Sequence, residues 1–294
     1  MYDAVSRSDS DAVPSTSPAE TVPAGSRRLQ RADGEIRLAF EDAGGRTTVR
    51  EAYQQGSARV RFPRVYEAGG MIEAVLLNTA GGVTGGDRFR IAAAAGAGTS
   101  AMLTTQAAEK AYRSAGGDAR IDVGREIGPA ARMAWLPQET ILFDRARLSR
   151  TLTADCAEGA ETLLCEAVVL GRTASGETVT EGRLADRWRV RRCGRLVYAD
   201  DLRIEGQVAE RLAGQATLAG RRAFASLLLV ADDAESRLEA ARDALEASGE
   251  RAGASAWDGL LSARIVAGDG ARLRAALRML LDAVGWTTPR SWTI

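Results

Sequence analysis

Histidine is absent from this 294-residue chain. Its absence removes the commonest general base, the serine–histidine and cysteine–histidine dyads, and the commonest transition-metal ligand. Hydrolytic chemistry built on those groups is excluded, while carboxylate chemistry survives. Lys110 is the only lysine, so a lysine nucleophile or Schiff base could be no other residue. Its setting beside Glu109 among small residues reads as a solvated turn. Cys156, Cys165 and Cys193 are too few and too widely spaced for a paired-cysteine zinc site, and they read as reduced, partly buried thiols. No uninterrupted apolar run approaches the roughly 18 residues needed to span a bilayer. The N-terminus lacks the basic-then-apolar pattern of a secretory signal, so a cytoplasmic location without a membrane partner is expected. Basic and acidic residues balance at 39 each, which leaves none of the positive excess of a nucleic-acid binder.

What is present supports a sizeable core, with 45% hydrophobic residues. Residues 1–26 are rich in Ser, Ala, Pro, Asp and Glu without hydrophobic periodicity and are predicted to be a disordered tail; residues 27–294 are predicted to form a single domain. Gly34 to Phe40 alternates polar and apolar residues, Gly44-Gly45 marks a turn, and Thr47 to Tyr53 reads as the returning strand of a hairpin. Arg59 to Phe62 alternates and runs into Pro63, as an edge strand does. Short strands then follow at a spacing of about ten residues between turn signals, which predicts stacked sheets and not alternating β and α units. Ala107 to Tyr112 reads as one helical turn or a wide bend. Cys193-Gly194 sits between Arg187–Arg192 and Leu196–Asp201 as a second hairpin turn, with its alternate arginines on a solvated face. The last third differs: an apolar strand at Phe224–Val230, a helix over Ser236–Ala247 opened by Asp232-Asp233 and stopped by Gly249, a strand at Gly259–Ala267, and a helix over Ala271–Val284. The fold class is therefore mainly β, with two α-helices in the C-terminal third.

The most extreme stretch is Asn78-Thr-Ala-Gly-Gly-Val-Thr-Gly-Gly-Asp87, with four glycines in six residues. Both a binding loop and a tight connection between strands fit it. A phosphate loop does not, because the stretch ends in Asp87-Arg88 and enters a strand, with neither the Gly-Lys-Ser/Thr element nor a following helix. Asp87, Glu139, Asp144 and Glu177 each stand beside a glycine- or proline-shaped turn, where a hard or borderline metal ligand is readily presented. Two of them would also serve as the acid and base of a glycosidase, and exposed turn carboxylates are commonly solvated or capping groups. Taken alone, these residues support only a β-rich binding or scaffold module.

Three segments together carry a resemblance. Leu77–Asp87, Leu136-Pro-Gln-Glu-Thr-Ile-Leu-Phe-Asp144 and Leu170-Gly-Arg-Thr-Ala-Ser-Gly-Glu177, in this order and spacing, resemble the signature stretches of the urease accessory protein family UreD, called UreH in some systems. The likeness extends from about Gly34 to the Pro-Arg-Ser-Trp tail. It implies no catalysis. It implies a β-helicoid of stacked sheets with two helices, and a role in urease maturation through binding of apo-urease, UreF and the GTPase UreG. It also implies no tightly bound cofactor, with Ni²⁺ as a transient cargo moving through an internal polar passage. By motif position, Asp87, Glu139 and Glu177 would line that passage, joined by Asp144 and Gln138.

Overall fold

Beginning at Asp33, alternation in the sequence becomes two stacked sheets that the chain visits in turn. A computed structural model describes residues 30–63, 71–172 and 176–293; the predicted N-terminal tail lies outside the described residues. Among the described residues, seventeen strands and three α-helices follow one another. The first hairpin, as expected, is formed by β1 (Asp33–Asp42) and β2 (Thr47–Gly56), which pair antiparallel with a register shift between Ala39 and Phe40. β3 (Ala58–Arg61) is an edge strand that pairs with β4 (Ile72–Asn78), as the alternation ahead of Pro63 anticipates.

From β4 onward the chain climbs as a coil. β5 (Arg88–Ala95) joins one sheet and β6 (Ser100–Thr105) the other; β8 (Ala119–Ile127) and β9 (Arg132–Leu136) repeat the step, as do β11 (Arg147–Cys156) and β12 (Glu161–Leu170). Neighbours within each sheet come from successive coils and run parallel: β5 with β8, β8 with β11, β6 with β9, and β9 with β12. β13 (Glu181–Arg192) and β14 (Arg195–Gln207) then form the second hairpin around Cys193-Gly194. The first sheet has the order β14-β13-β11-β8-β5-β1-β2. The second has β16-β17-β15-β12-β9-β6-β4-β3, built with β15 (Ala223–Val230), β16 (Arg251–Trp257) and β17 (Leu260–Ala267).

Two segments depart from the sequence reading. Residues at 107–112 form no helical turn; β7 (Glu109–Ala111) pairs in parallel with β10 (Thr140–Leu142), which pairs with β12. β16 follows directly on the helix at Gly249 and lies at the sheet edge with mostly exposed residues, so its Ala and Gly content gives little alternation to read.

α2 (Leu238–Ala247) and α3 (Gly270–Ala283) are the two expected helices, and a five-residue α1 (Val208–Leu212) adds a third. Asp233 does not cap α2 with its side chain; it pairs with Arg237. The α3 cap is Asp269, whose Oδ1 accepts from the Arg272 amide at 2.9 Å.

The second sheet is covered on both faces, which explains why β12 is buried almost throughout instead of alternating. Leu163, Cys165, Ala167 and Val169 face a layer built with Leu273, Leu277, Leu280 and Leu281 of α3. Leu164, Val168 and Leu170 face the first sheet, among Phe40, Val123, Leu148, Leu152 and Trp188. Among the described residues, no helix is long and apolar enough to cross a membrane.

Candidate functional site

The glycine loop is shaped by close approach. A Cβ on Gly82 would stand 2.3 Å from the Tyr112 ring and 2.7 Å from the Lys110 carbonyl, and one on Gly85 would stand 2.0 Å from Ser114 Oγ. Glycine is the residue that fits. The loop is sewn to β7 by reciprocal amides, Val83 to Lys110 at 2.7 Å and Tyr112 to Val83 at 2.8 Å. Asp87 is buried at its end, where Oδ1 accepts from the Ala32 amide and Oδ2 from the Thr84 amide, each at 2.8 Å. Both its oxygens thus meet backbone donors that would otherwise be unsatisfied.

The other predicted carboxylates fall in two places. Asp144 Oδ1 accepts from the Thr180 amide at 2.7 Å, the Thr180 hydroxyl at 2.9 Å and the Glu181 amide at 3.1 Å. Glu177 reaches the same corner: Oε1 accepts from the Asp144 amide at 3.3 Å and Oε2 from Arg172 Nε at 2.9 Å. Burial raises both groups, but these donors outweigh it and hold both carboxyls below the usual range. Glu139 stands elsewhere, with both oxygens on Arg274 Nη2 of α3 at 2.6 and 2.8 Å. Its neighbour Gln138 is buried, and Nε2 donates to the carbonyls of Gln106 at 2.7 Å and Ser291 at 3.0 Å. The structure therefore brings Asp144 to Glu177 and Gln138 to Glu139, and it leaves Asp87 with its own loop. Among the described residues, no group of three His, Cys, Asp or Glu side chains is arranged to hold a metal ion.

A second polar set lies between the sheets. Arg150 of β11 and Asp186 of β13 are register partners on the inner face, joined through Nε at 3.1 Å and through Nη2. Arg150 also pairs with Glu166 of β12 across the interior, and its Nη1 reaches Thr140 Oγ1 at 3.4 Å. Glu166 Oε1 accepts from Trp135 Nε1 at 2.8 Å. Thr140 is in turn the register partner of Glu109 on β7, whose Oε2 accepts from Asn78 Nδ2 at 3.1 Å. Polar groups thus run from the base of the glycine loop into the centre of the sandwich. Glu109, Asn78, Thr105 and Gln106 also line a cavity of about 290 Å³ whose remaining wall includes Ile36, Leu76, Phe89 and Ile91.

Burial governs the electrostatics here. It raises Glu166 to about 7 despite the opposing Arg150 charge. It raises Glu109 as well, against the donors Asn78 and the Lys110 amide. Burial alone would lower Arg150, but the flanking Asp186 and Glu166 carboxylates outweigh it and keep the guanidinium charged. Glu166, Arg150 and Asp186 are not among the residues expected from the sequence, and the solvated turn expected at Glu109-Lys110 is strand β7, with Glu109 turned to Asn78. A signal was there, since Leu163-Leu-Cys-Glu166-Ala-Val-Val169 places one acid in an otherwise apolar buried strand.

Comparison with known proteins accords with this architecture. Residues 32–292 match the family model described as UreD urease accessory protein. The chain is similar to the urease accessory protein UreD of Methylobacterium sp. (strain 4-46), 51% identical over 272 residues covering 90% of this chain and 96% of that one. It is similar to the urease accessory protein UreD of Rhizobium leguminosarum bv. viciae, 48% identical over 276 residues covering 93% and 100%. The counterpart in Agrobacterium fabrum is 44% identical over 269 residues, covering 91% and 93%.

Proposed function

This chain belongs to the UreD urease accessory protein family, and from that premise we propose that it is a urease maturation scaffold that binds apo-urease, UreF and UreG and conducts Ni²⁺ between its sheets. It is an accessory protein and not an enzyme, so the glycosidase alternative falls. Nickel is cargo in this reading, with no resident cofactor. The observation that carries it is the run of polar groups from Asn78 and Glu109 through Thr140 to Arg150 and Glu166, inside a largely apolar sandwich.

A conduit has to bind its cargo weakly. Carboxylate oxygens and carbonyls hold Ni²⁺ less tightly than imidazole or thiolate would, and a chain without histidine is suited to releasing the metal. Glu109 and Glu166 are the interior stations of the route. Asp87, Asp144 and Glu177 serve as wall carboxylates at its turns, and Asp87 in addition fixes the glycine loop; Glu139, held by Arg274 of α3, stands on the helix-facing side of the second sheet and off this route.

A pull-down against urease, UreF and UreG, with and without nickel, tests the scaffold role: retention of the three is expected, and their absence from the eluate would remove the reading. For the passage, Asp87→Asn with Glu177→Gln is expected to keep partner binding while lowering nickel loading in a co-expression assay. Asp87→Asn is preferred to Asp87→Ala because it keeps an acceptor for one of the two backbone amides, whereas alanine would strip both. Full urease activation by the double variant would leave an adaptor without a metal role.

A further inference from the structure

The cavity beneath the glycine loop combines one acid with apolar walls. Its volume is about 290 Å³, and Ile36 of β1, Leu76 of β4 and Phe89 and Ile91 of β5 form much of its lining. Among the described residues that line it, Glu109 is the one acid. Small-molecule sites start at about this size, roughly 300 Å³, and are mostly apolar with a few placed polar groups.

Glu109 is half-buried on β7, and its carboxylate is only partly engaged. Oε1 accepts from the Lys110 amide at 2.9 Å and Oε2 from Asn78 Nδ2 at 3.1 Å. A carboxylate has about four acceptor positions, so each oxygen keeps one for a further donor. Asn78 is itself fixed in the loop, with Nδ2 donating to the Gly82 carbonyl at 3.1 Å and Oδ1 accepting from the Ala80 amide at 3.0 Å. Besides burial and the two donors, the charge of Asp87 acts on Glu109 more strongly than that of Lys110. A cation is therefore favoured at this end of the cavity. An inorganic ion would meet the carboxylate and leave the apolar wall uncovered, whereas a cation with an apolar body meets both.

We propose that this cavity binds a small organic primary ammonium with an apolar body of the size of benzylamine, the ammonium donating to Glu109 and the ring lying among Ile36, Leu76, Phe89 and Ile91. The ammonium donors match the open acceptor positions of the carboxylate, and a charge-assisted bond of this kind is stronger than a neutral one. The Phe89 ring suits an aromatic body. The site shares Glu109 with the nickel route but does not rest on it.

Methyl-detected NMR of the full chain, titrated with benzylammonium in a chelating buffer without nickel, tests the site. Saturable shifts are expected at the methyl groups of Ile36, Leu76 and Ile91. Benzyl alcohol has the same shape without the charge, and methylammonium has the charge without the ring. Each is expected to bind about tenfold more weakly or worse. Glu109→Gln is expected to weaken benzylammonium by a similar factor and to leave benzyl alcohol unchanged. If that variant does not fold, the comparison of benzylammonium with benzyl alcohol on the unaltered chain decides. No saturable shift at those methyl groups, equal binding of benzyl alcohol, or undiminished binding to Glu109→Gln would overturn the proposal. With nickel excluded, the outcome is separate from that of the metal route.

Discussion

The two faces of the second sheet are built from the same strands and do opposite things. On β12, Leu163, Cys165, Ala167 and Val169 join the apolar layer beneath α3, while one residue over, Glu166 sits among Leu164, Val168 and Trp135 and pairs with Arg150. Burying aliphatic groups stabilises the fold by about 25 cal/mol per Å². Burying ions gains little, because desolvation offsets their attraction, and apolar replacements of the same volume are often neutral or stabilising. The helix-facing side therefore contributes most of the stability that holds the sheet together, and the charges on the opposite side add little net stability.

That contrast can be broken most forcefully at Arg150. Arg150→Met leaves Glu166 and Asp186 buried without their cation, and a loss of about 3–5 kcal/mol is expected in urea unfolding at pH 7.5. The triple change Arg150→Met, Glu166→Gln, Asp186→Asn should recover much of it. On the aliphatic face, Leu280→Ala should cost about 2–5 kcal/mol with no such rescue and no dependence on pH.

A smaller effect separates the faces by titration. Glu166 is raised to about 7 in the fold from an ordinary value of 4.5, so the folded state binds the extra proton between those limits. Its contribution to stability is present below about pH 4.5 and is lost as pH rises to about 7, by about 1–3 kcal/mol. Glu166→Gln should flatten that decline when urea midpoints at pH 5 and 7.5 are compared. Asp144 and Glu177 work in the opposite sense, since their depressed carboxyls contribute stability that is fully present above the ordinary carboxylate range and is lost as pH falls below it. The smallest expected change is Asp269→Ala, which removes the α3 cap for about 1 kcal/mol and leaves the inter-sheet charges untouched.

Much of this was legible in local pattern. The two hairpins, the edge strand before Pro63 and the apolar stripe of α3 each depend on neighbours in sequence, so alternation or a 3.6-residue period reveals them. The parallel coil was not legible, because β5, β8 and β11 become neighbours only after the chain has visited the other sheet between them. The three signature segments pointed to the glycine loop and to the corner where Asp144 meets Glu177. They include Asn78 and Thr140 of the interior polar run but none of Glu109, Arg150, Glu166 or Asp186. Arg150 and Asp186 occupy inward positions within alternating strands, Leu148-x-Arg150-x-Leu152 and Leu184-x-Asp186-x-Trp188, where charge breaks the apolar stripe. Only the parallel register of β11 with β13 shows that these interruptions belong together.

The most direct measurement is the nickel content of urease matured with the Glu109→Gln, Glu166→Gln variant in place of the unaltered chain, with partner retention checked by pull-down in the same preparations. Normal retention of urease, UreF and UreG together with a several-fold fall in nickel per urease active site is the result predicted for an interior route. Normal retention with full nickel loading would contradict it.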